Sequence, residues 1–350
     1  MEAIYEGPDI LSENLDELLA DPVFEGEKKF RVKQVYEWLH RKSAVSYEEM
    51  TNLPKELRQR LTAERPLYGC AKETMQESAA DGTRKYLFRL SDGNYVESVF
   101  MRYHHGDSVC ISSQVGCRMG CRFCASTIGG LTRNLTAGEM LSQIYMIGRD
   151  TGERISNVVV MGTGEPLDNY ANLVRFIRLI TDGNGLNISE RNVTVSTCGI
   201  VPMIRRLREE DLQINLALSL HAPTDEMRRT IMPVANRYSL DEIFDALLYY
   251  YEGNKRRLTF EYSLIAGKND SAECAALLAK RLRGINCFVN LIPVNPVTEH
   301  DFKAPDTYFV QEFKKLLEKY GIHVTIRREM GRDIDGACGQ LRKRYVKNSR

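Results

Sequence analysis

Hydrophobic positions recur at helical spacing through the first 65 residues of the chain. Apolar side chains fall three and four residues apart within 11–19, and again within 30–39 after a basic stretch. This spacing places them on one face of a helix. Ser46 and Glu49 have the spacing of a capping box at the start of a third helix. The pattern therefore predicts a small N-terminal helical unit.

The pattern changes to alternation between residues 67 and 105. Two alternating runs, 86–90 and 95–100, flank a short polar segment that contains Asp92 and Gly93. An Asp-Gly pair between alternating runs is a strong signal for a β-hairpin. Glu97 lies in the second run, and the pattern alone indicates an exposed strand carboxylate.

From residue 108 onward, short strand patterns alternate with longer helical ones. The strand patterns lie at 108–113, 157–161, 192–197, 213–220, 257–264, 287–292 and 324–327. Thr136 and Glu139 have capping-box spacing before one of the intervening helices. Such alternation predicts a parallel sheet with helices outside, and this number of units predicts a full or partial (β/α) barrel.

These patterns together predict an α/β protein, a partial (β/α) barrel with a small N-terminal helical domain and a β-hairpin linker. We assign residues 1–66 to the helical domain, 67–105 to the linker, 106–335 to the barrel and 336–350 to a C-terminal tail. A length of 350 residues with 43% hydrophobic content is enough for one large domain and a small one.

Charge and cysteine content narrow the functional classes only in part. A net charge of +1 gives no global nucleic-acid signature. The cations within 28–33 could form a solvated helix face or neutralise RNA phosphates. We find no basic-plus-apolar signal segment and no membrane-length apolar run. We therefore expect a cytoplasmic protein whose nine cysteines stay reduced and serve as ligands, catalysts or core residues.

Three of these cysteines share one short loop after the first barrel strand. Cys117, Cys121 and Cys124 are spaced C-x3-C-x2-C, and no histidine lies between residues 110 and 134. Zinc sites usually combine two separated pairs of ligands. An iron–sulfur cubane is held by thiolates, and a loop that supplies three of them leaves one iron open. The spacing favours such a cluster over zinc or unrelated thiols.

Polar residues also follow the later strands. The segments are GTGEP at 162–166, STCG at 196–199, SLHAP at 219–223 and PVNP at 293–296. Each alone is typical of a turn or a helix cap. Together, on the face where the strands of a barrel end, they would form a pocket for a small polar ligand. Glu165 in the first segment could accept hydrogen bonds from an ammonium group.

In order and spacing, these motifs resemble the RlmN type of ribosomal RNA adenine-C2 methyltransferases, within the radical S-adenosylmethionine superfamily. The resemblance covers residues 28–341 and rests on VCISSQVGCRMGCRFCAS, MGTGEPLDNY, VSTCGIVP, ALSLHAP, LIPVNP and DIDGACGQL. It implies a radical-SAM barrel with a [4Fe–4S] cluster on Cys117, Cys121 and Cys124, whose open iron binds S-adenosylmethionine. The cofactor contacts that it implies are Gly164, Glu165, Ser196, Ser219, Leu220, His221 and Asn295.

The resemblance also implies three catalytic residues. Cys338 would carry a methyl group from a first S-adenosylmethionine, and a radical made from a second would take a hydrogen atom from that methyl. The resulting methylene radical would add to C2 of adenosine, a carbon too electron-poor to receive a methyl cation. Glu97 would accept the proton lost from C2. Cys110 would attack the sulfur of Cys338 and release the product with a transient disulfide.

The substrates implied are 23S ribosomal RNA and transfer RNA, with an external electron donor, no membrane and a monomeric enzyme. Two alternatives remain. A Cfr-like enzyme would methylate C8 of adenosine, and a non-catalytic iron–sulfur module would only bind RNA. The helical unit and the CASTIGGLTRN sequence favour C2 over C8. A binding module would not require both Cys110 and Cys338.

Overall fold

The computed structural model describes residues 9–104, 106–294, 302–328, 330–335 and 339–348, apart from the side chains of residues 343 and 346–348. Its N-terminal part is helical. The elements are α1 (Leu15–Ala20), α2 (Lys29–His40) and α3 (Lys55–Glu64), with short 3-10 turns at Ile10–Ser12, Pro22–Phe24 and Tyr47–Glu49.

The capping box expected at Ser46 is wrong. Tyr47–Glu49 is a single 3-10 turn, and the Ser46 side chain makes no capping hydrogen bond. The Glu49 carboxylate instead accepts a hydrogen bond from Arg149 Nη1 at 2.8 Å. Glu49 therefore forms a long-range ion pair with Arg149 instead of the capping contact that the local spacing predicted.

One ten-stranded sheet runs through the rest of the described structure. Its strands are β1 (Ala71–Glu77), β2 (Arg84–Arg89), β3 (Tyr95–Met101), β4 (Asp107–Cys110), β7 (Ile155–Val160), β8 (Val193–Thr197), β9 (Asn215–Ser219), β10 (Leu258–Leu264), β11 (Cys287–Pro293) and β12 (His323–Ile326). The first four pair antiparallel, and β4 to β12 pair parallel in chain order. A separate two-stranded sheet joins β5 (Gln114–Gly116) to β6 (Leu131–Asn134). The parallel part confirms the partial barrel.

Helices cover the outer face of the parallel strands. They are α4 (Ala137–Thr151), α5 (Tyr170–Thr181), α6 (Val201–Arg208), α7 (Asp225–Ile231), α8 (Leu240–Asn254), α9 (Ala272–Leu282) and α10 (Thr307–Lys319), and α11 (Gln340–Asn348) follows near the C-terminus. The capping box at Thr136 and Glu139 is confirmed. None of the helices in the described part of the chain is long and apolar enough to cross a membrane.

Burial along β8 shows which face of the sheet is polar. Val193 and Val195 are fully buried in the main core, whereas Thr194 and Ser196 are partly exposed. Because side chains alternate along a strand, the second pair points to the opposite face, the interior of the barrel. The barrel interior is therefore open to polar ligands near the strand ends.

The N-terminal helices are joined to the barrel by buried polar contacts. The His40 side chain on α2 is fully buried, and its Nδ1 lies 2.9 Å from the Tyr145 hydroxyl on α4. Tyr36, also on α2, donates a hydrogen bond to Asp182 at 2.7 Å. Burial lowers the pKa of His40 to about 4 from its usual 6.5. The imidazole is therefore neutral at physiological pH.

We expect loss of His40 to flatten the pH dependence of stability. The folded pKa lies below the unfolded one, so the unfolded chain binds an extra proton between these values. The contribution of neutral His40 to the free energy of unfolding is fully present above about pH 6.5 and decreases as the pH drops towards 4. Between about pH 7 and pH 5, His40→Gln should lose less unfolding free energy than the unchanged protein, by up to about 2 kcal/mol.

Urea unfolding at the two pH values measures this difference. His323→Gln, at an exposed histidine on β12, is the matched control and should keep the pH dependence of the unchanged protein. The same pH dependence in His40→Gln and in the unchanged protein would contradict the prediction.

Candidate active site

The three clustered cysteines lie on a loop, residues 117–130, whose ends are held together by the β5–β6 sheet. We call it the cluster loop. The Cys117 amide donates to the Gly130 carbonyl at 3.0 Å and closes the loop at its neck. Gly116 has a φ of +80°, and a Cβ atom there would overlap the Gly130 carbonyl oxygen. A glycine at position 116 is therefore required for this closure.

The cluster loop turns its thiols inward. Cys117 and Cys121 are buried and Cys124 is half-buried. The Thr127 hydroxyl donates to the carbonyls of Cys121 and Cys124 at 3.2 and 2.9 Å, which fixes the turn between these two cysteines. Burial raises the pKa of Cys117 to about 12, with smaller contributions from Glu165 and Cys124. The same causes raise the pKa of Cys121.

The donor set fits a cubane better than a single metal ion. Among the described residues, no three His, Cys, Asp or Glu side chains are arranged to hold one metal ion. Zinc requires four ligands around one centre. An iron–sulfur cubane distributes its thiolates over different irons, so its ligands need not converge on a point. Three thiols on one short loop match three corners of such a cluster.

The GTGEP turn after β7 packs directly against the loop that follows β4. Gly164 has a φ of +114°, and a Cβ atom there would lie 2.7 Å from both the Gln114 Cβ and the Ser113 Oγ. Gln114 accepts a hydrogen bond from the Glu165 amide at 2.8 Å and donates to Asp168 at 3.1 Å. Gln114 was not singled out from the sequence, because no pattern distinguishes it from an ordinary polar loop residue.

Glu165 is buried and connects the ends of two strands. Its Oε1 accepts a hydrogen bond from the Thr197 hydroxyl at 2.7 Å, and its Oε2 accepts one from the Cys198 amide at 2.8 Å. Burial raises the pKa of Glu165, and these hydrogen bonds oppose the shift. The carboxylate therefore has a structural function. Its two oxygens have further lone pairs that could accept hydrogen bonds from the ammonium group of a ligand.

The predicted cofactor contacts on β8 and β9 come together. The hydroxyls of Ser196 and Ser219 lie 3.3 Å apart on neighbouring strands. Leu220 is fully buried, and its amide donates to the Glu261 carbonyl at 3.0 Å. The Leu220 carbonyl accepts hydrogen bonds from the Ala222 amide at 2.8 Å and from Arg228 at 3.1 Å. The backbone of Leu220 is therefore already paired within the protein, whereas the two serines present hydroxyls to the barrel interior.

His221 completes this corner of the site in a left-handed backbone conformation, with a φ of 57°. Its Nδ1 accepts a hydrogen bond from the Ser263 amide at 2.9 Å, so the proton of the neutral ring lies on Nε2. Burial, aided by the charge of Arg228, lowers its pKa to about 3. The ring also packs edge-on against Phe123 of the cluster loop, with centroids 4.7 Å apart.

Arg228 on α7 is a further residue of the site that the sequence did not reveal. It is fully buried, and its guanidinium donates to the carbonyls of Cys198, Ser219 and Leu220 at 2.6, 3.2 and 3.1 Å. It thereby holds the ends of β8 and β9 together. Its helix reads DEMRRTI, and nothing in these letters shows which arginine is buried.

Glu97 is buried, so its interpretation as an exposed strand carboxylate is wrong. It is 3% exposed and lies 2.8 Å from the ammonium of Lys85, which is 1% exposed. Strand register places both on the face that carries Cys110, because Val99 pairs with Lys85 on one side and with Cys110 on the other. Glu97 is two residues from Val99 and so shares that face.

Cys110 lies in an apolar environment at the end of β4. It is buried with Val99 and Met101, and Val159, Met161 and Met330 pack against this group. No polar cluster around it was visible in the sequence. Its position is therefore defined by strand pairing and by the sulfur-rich packing around it.

Two of the predicted site residues, Cys338 and Asn295, lie outside the described residues. The neighbour of Cys338 is described. The Gly339 amide donates to Glu97 Oε2 at 2.6 Å, and the Arg342 amide donates to Glu97 Oε1 at 2.6 Å. A Cβ atom on Gly339 would lie 3.1 Å from Ala125, the residue after Cys124. Gly339 is therefore held between Glu97 and the cluster loop.

Comparison with known proteins supports the same architecture. The model of the radical SAM superfamily matches residues 111–279. The model of the ribosomal RNA large subunit methyltransferase N-terminal domain matches residues 9–65. The first match begins just before the cluster loop, and the second covers the helical unit. Both matched regions correspond to parts of the fold described above.

Relatives match over almost the whole chain. A probable dual-specificity RNA methyltransferase RlmN of Lachnospira eligens is 61% identical over 97% of this chain and 97% of its own. Its counterpart in Lachnoclostridium phytofermentans is also 61% identical, over 99% and 97% of the two chains. A radical SAM methyltransferase of Sphaerobacter thermophilus, known from a crystal structure, superposes with a TM-score of 0.91 at 42% identity over 95% and 99%. The chain belongs to the RlmN family of RNA methyltransferases within the radical SAM superfamily.

Proposed function

We propose that this enzyme methylates C2 of an adenosine in 23S ribosomal RNA and in transfer RNA. The contact that supports this assignment best is that of Gly339, which lies between Glu97 and Ala125. The residue next to the proposed methyl carrier, Cys338, is thereby held between the proposed proton acceptor and the cluster loop. The relatives named as dual-specificity RNA methyltransferases support both RNA substrates.

Membership of the superfamily implies two cofactors, a [4Fe–4S] cluster and S-adenosylmethionine. When bound, they supply a carbon-centred radical. We propose that Cys117, Cys121 and Cys124 hold the cluster and that one turnover uses two molecules of S-adenosylmethionine. We further propose an external electron donor and a monomeric, cytoplasmic enzyme.

The residues at the strand ends would orient S-adenosylmethionine. We assign the methionine end to Gly164 and Glu165, because the buried carboxylate attracts an ammonium and the glycine lets its turn pack closely against Ser113 and Gln114. The Ser196 and Ser219 hydroxyls and the Nε2–H of His221 are suited to its other polar atoms. We include Leu220 and Asn295 from the family motif alone.

The thiol pair and the base would handle the substrate. Cys338 carries the methyl group, and Cys110 later attacks the Cys338 sulfur. Glu97 takes the proton from C2. Support comes from the strand register, which places Glu97 and Cys110 on one face of the sheet. The ammonium of Lys85, 2.8 Å away, provides a positive charge directly beside the proposed base.

The product of the reaction provides the first test. A strain that lacks the gene should lose 2-methyladenosine from ribosomal and transfer RNA, and the unchanged gene should restore it. Mass spectrometry of digested nucleosides measures both. Cys338→Ala should not restore the nucleoside, whereas Cys287→Ala, at a buried core cysteine of β11, should. Detection of 8-methyladenosine would instead favour the Cfr-like alternative, and persistence of 2-methyladenosine in the deletion strain would contradict the assignment.

The cluster assignment is tested by metal content. We expect anaerobically purified Cys117→Ala to lose nearly all of its iron and acid-labile sulfide, because only two thiols of the cluster loop would remain. Cys287→Ala provides the control and should retain both. Full iron and sulfide in Cys117→Ala would show that this cysteine is not a ligand.

The role of Cys110 is tested by arrest of the reaction. Without the resolving thiol, addition should proceed and resolution should fail, so Cys110→Ala should accumulate a covalent link between Cys338 and RNA. A denaturing gel would show a shifted protein–RNA band. The double variant Cys110→Ala, Cys338→Ala should lack this band. Failure of the single variant to form the band would refute the assignment of Cys110.

A further inference from the structure

We propose that Glu97 is a latch for the C-terminal segment, residues 330–335 and 339–348, and that protonation of its carboxylate opens the latch. The inference rests on the proposed function, in which Glu97 receives the proton from C2. It adds a consequence of that step: the acceptance of the proton loosens the part of the chain next to the methyl carrier.

The latch consists of three hydrogen bonds to one carboxylate. Gly339 and Arg342 donate their backbone amides to Oε2 and Oε1, both at 2.6 Å. Lys85 donates to Oε2 at 2.8 Å. Hydrogen bonds to an ionised acceptor are stronger than neutral ones. The amides belong to the start of α11, where the helix dipole also favours a negative charge.

Protonation of Glu97 removes the ionised acceptor to which the three donors bond. An ionised carboxylate only accepts hydrogen bonds, whereas the neutral acid carries an O–H donor on one of its oxygens. That oxygen would then present a donor to a backbone amide or to the Lys85 ammonium. The buried ammonium would also lose the charge that compensates it. Every contact of the latch therefore weakens in the same step.

The charged groups around Glu97 in the described part of the chain reinforce this dependence. From β2, Lys85 faces the carboxylate directly. From α11, Arg342 is half-buried and has its pKa lowered by burial, an effect that the charge of Glu97 opposes. From the loop after β4, the Ser112 hydroxyl donates to the Glu97 backbone carbonyl at 2.7 Å and holds the strand in place. The charge of Glu97 thus acts on two cations, Lys85 and Arg342.

Other contacts would keep the segment tethered after the latch opens. The Asp335 amide and carboxylate exchange hydrogen bonds with the Gln76 side chain on β1, at 2.9 and 3.0 Å. Asp333 accepts hydrogen bonds from Ser78 and from the Ala79 amide at 2.5 and 2.8 Å. These anchors do not involve Glu97. The opening therefore starts at Gly339 and the first turn of α11, and the hydrogen bond from Tyr345 on α11 to Glu73 on β1 limits it further along the helix.

The proposed sequence couples two events of the reaction. The proton leaves C2 and bonds to a Glu97 oxygen, while the electron pair of the C–H bond stays with the adduct. The unpaired electron of the adduct leaves to a one-electron acceptor, for which the proposed [4Fe–4S] cluster would serve. The amides of Gly339 and Arg342 then lose their ionised acceptor. The neighbour of Cys338 is freed from Glu97 only after the proton has been transferred. The segment is thus held while the methylene radical adds to the adenine ring, and it is released before Cys110 attacks the sulfur of Cys338.

Hydrogen exchange of the protein without RNA or S-adenosylmethionine tests the latch. Glu97→Gln imitates the neutral acid, since an amide has one acceptor oxygen and a donating nitrogen. We expect the backbone amides of 339–348 to exchange at least about tenfold faster in this variant, because exchange reports local opening. Glu261→Gln is the matched control, a buried glutamate on β10 that bonds Asn290, and should leave 339–348 unchanged.

Exchange in 339–348 at the rate of the unchanged protein would overturn the latch. If α5 also exchanges faster, the substitution has loosened the whole fold, and Glu97→Asp decides the question. The aspartate keeps the charge, so the latch requires slower exchange in 339–348 than with glutamine, and equal exchange overturns the proposal. The result is independent of the nucleoside assay: loss of 2-methyladenosine production tests the proposed function, and exchange tests the latch.

Discussion

The ion pair between Lys85 and Glu97 is the contact on which the geometry of the active site depends. Removal of two charges from water costs several kcal/mol for each ion, and the attraction between them offsets this cost only when further hydrogen bonds satisfy the remaining lone pairs. At Glu97 those bonds come from the amides of Gly339 and Arg342, more than 240 residues away in the chain. The antiparallel extension of the sheet and the C-terminal segment therefore stabilise each other.

The rest of the site uses buried polar side chains in a different way. Among the described residues, the Glu165 carboxylate accepts hydrogen bonds from its own turn and from the end of β8, and Arg228 donates to backbone carbonyls. Such fully buried hydrogen bonds make a rigid platform, because breaking any of them leaves a desolvated group. The side of the site that we propose binds the cofactors is thus built from fixed contacts. The side that we propose carries the methyl group is held by a carboxylate whose acceptor strength changes during the proposed reaction.

The sequence predicted the features that local periodicity encodes. The seven strands of the barrel and the cluster loop lie where the spacing indicated, because apolar alternation and cysteine spacing are local signals. The strand β1 was missed, since AKETMQE contains few apolar residues and none of its side chains is buried. The burial of Glu97 was missed for another reason. Its surroundings come from Lys85 across the hairpin and from the C-terminal segment, and the alternation within its own strand indicates neither partner.

The partner of Glu97 could nevertheless have been derived from the hairpin signal. The turn at Asp92 and Gly93 fixes the register that pairs Arg89 with Tyr95, and from there Leu87 with Glu97 and Lys85 with Val99. A slip by one residue would turn Glu97 to the opposite face of the sheet, away from Cys110. Arg133 on β6 donates to Asp92 at 2.5 Å and so connects this turn to the neck of the cluster loop. The same register therefore positions the proposed base Glu97, its counter-charge Lys85 and the proposed resolving thiol of Cys110. A substitution in the turn would therefore disturb the proposed reaction although it replaces none of these three residues.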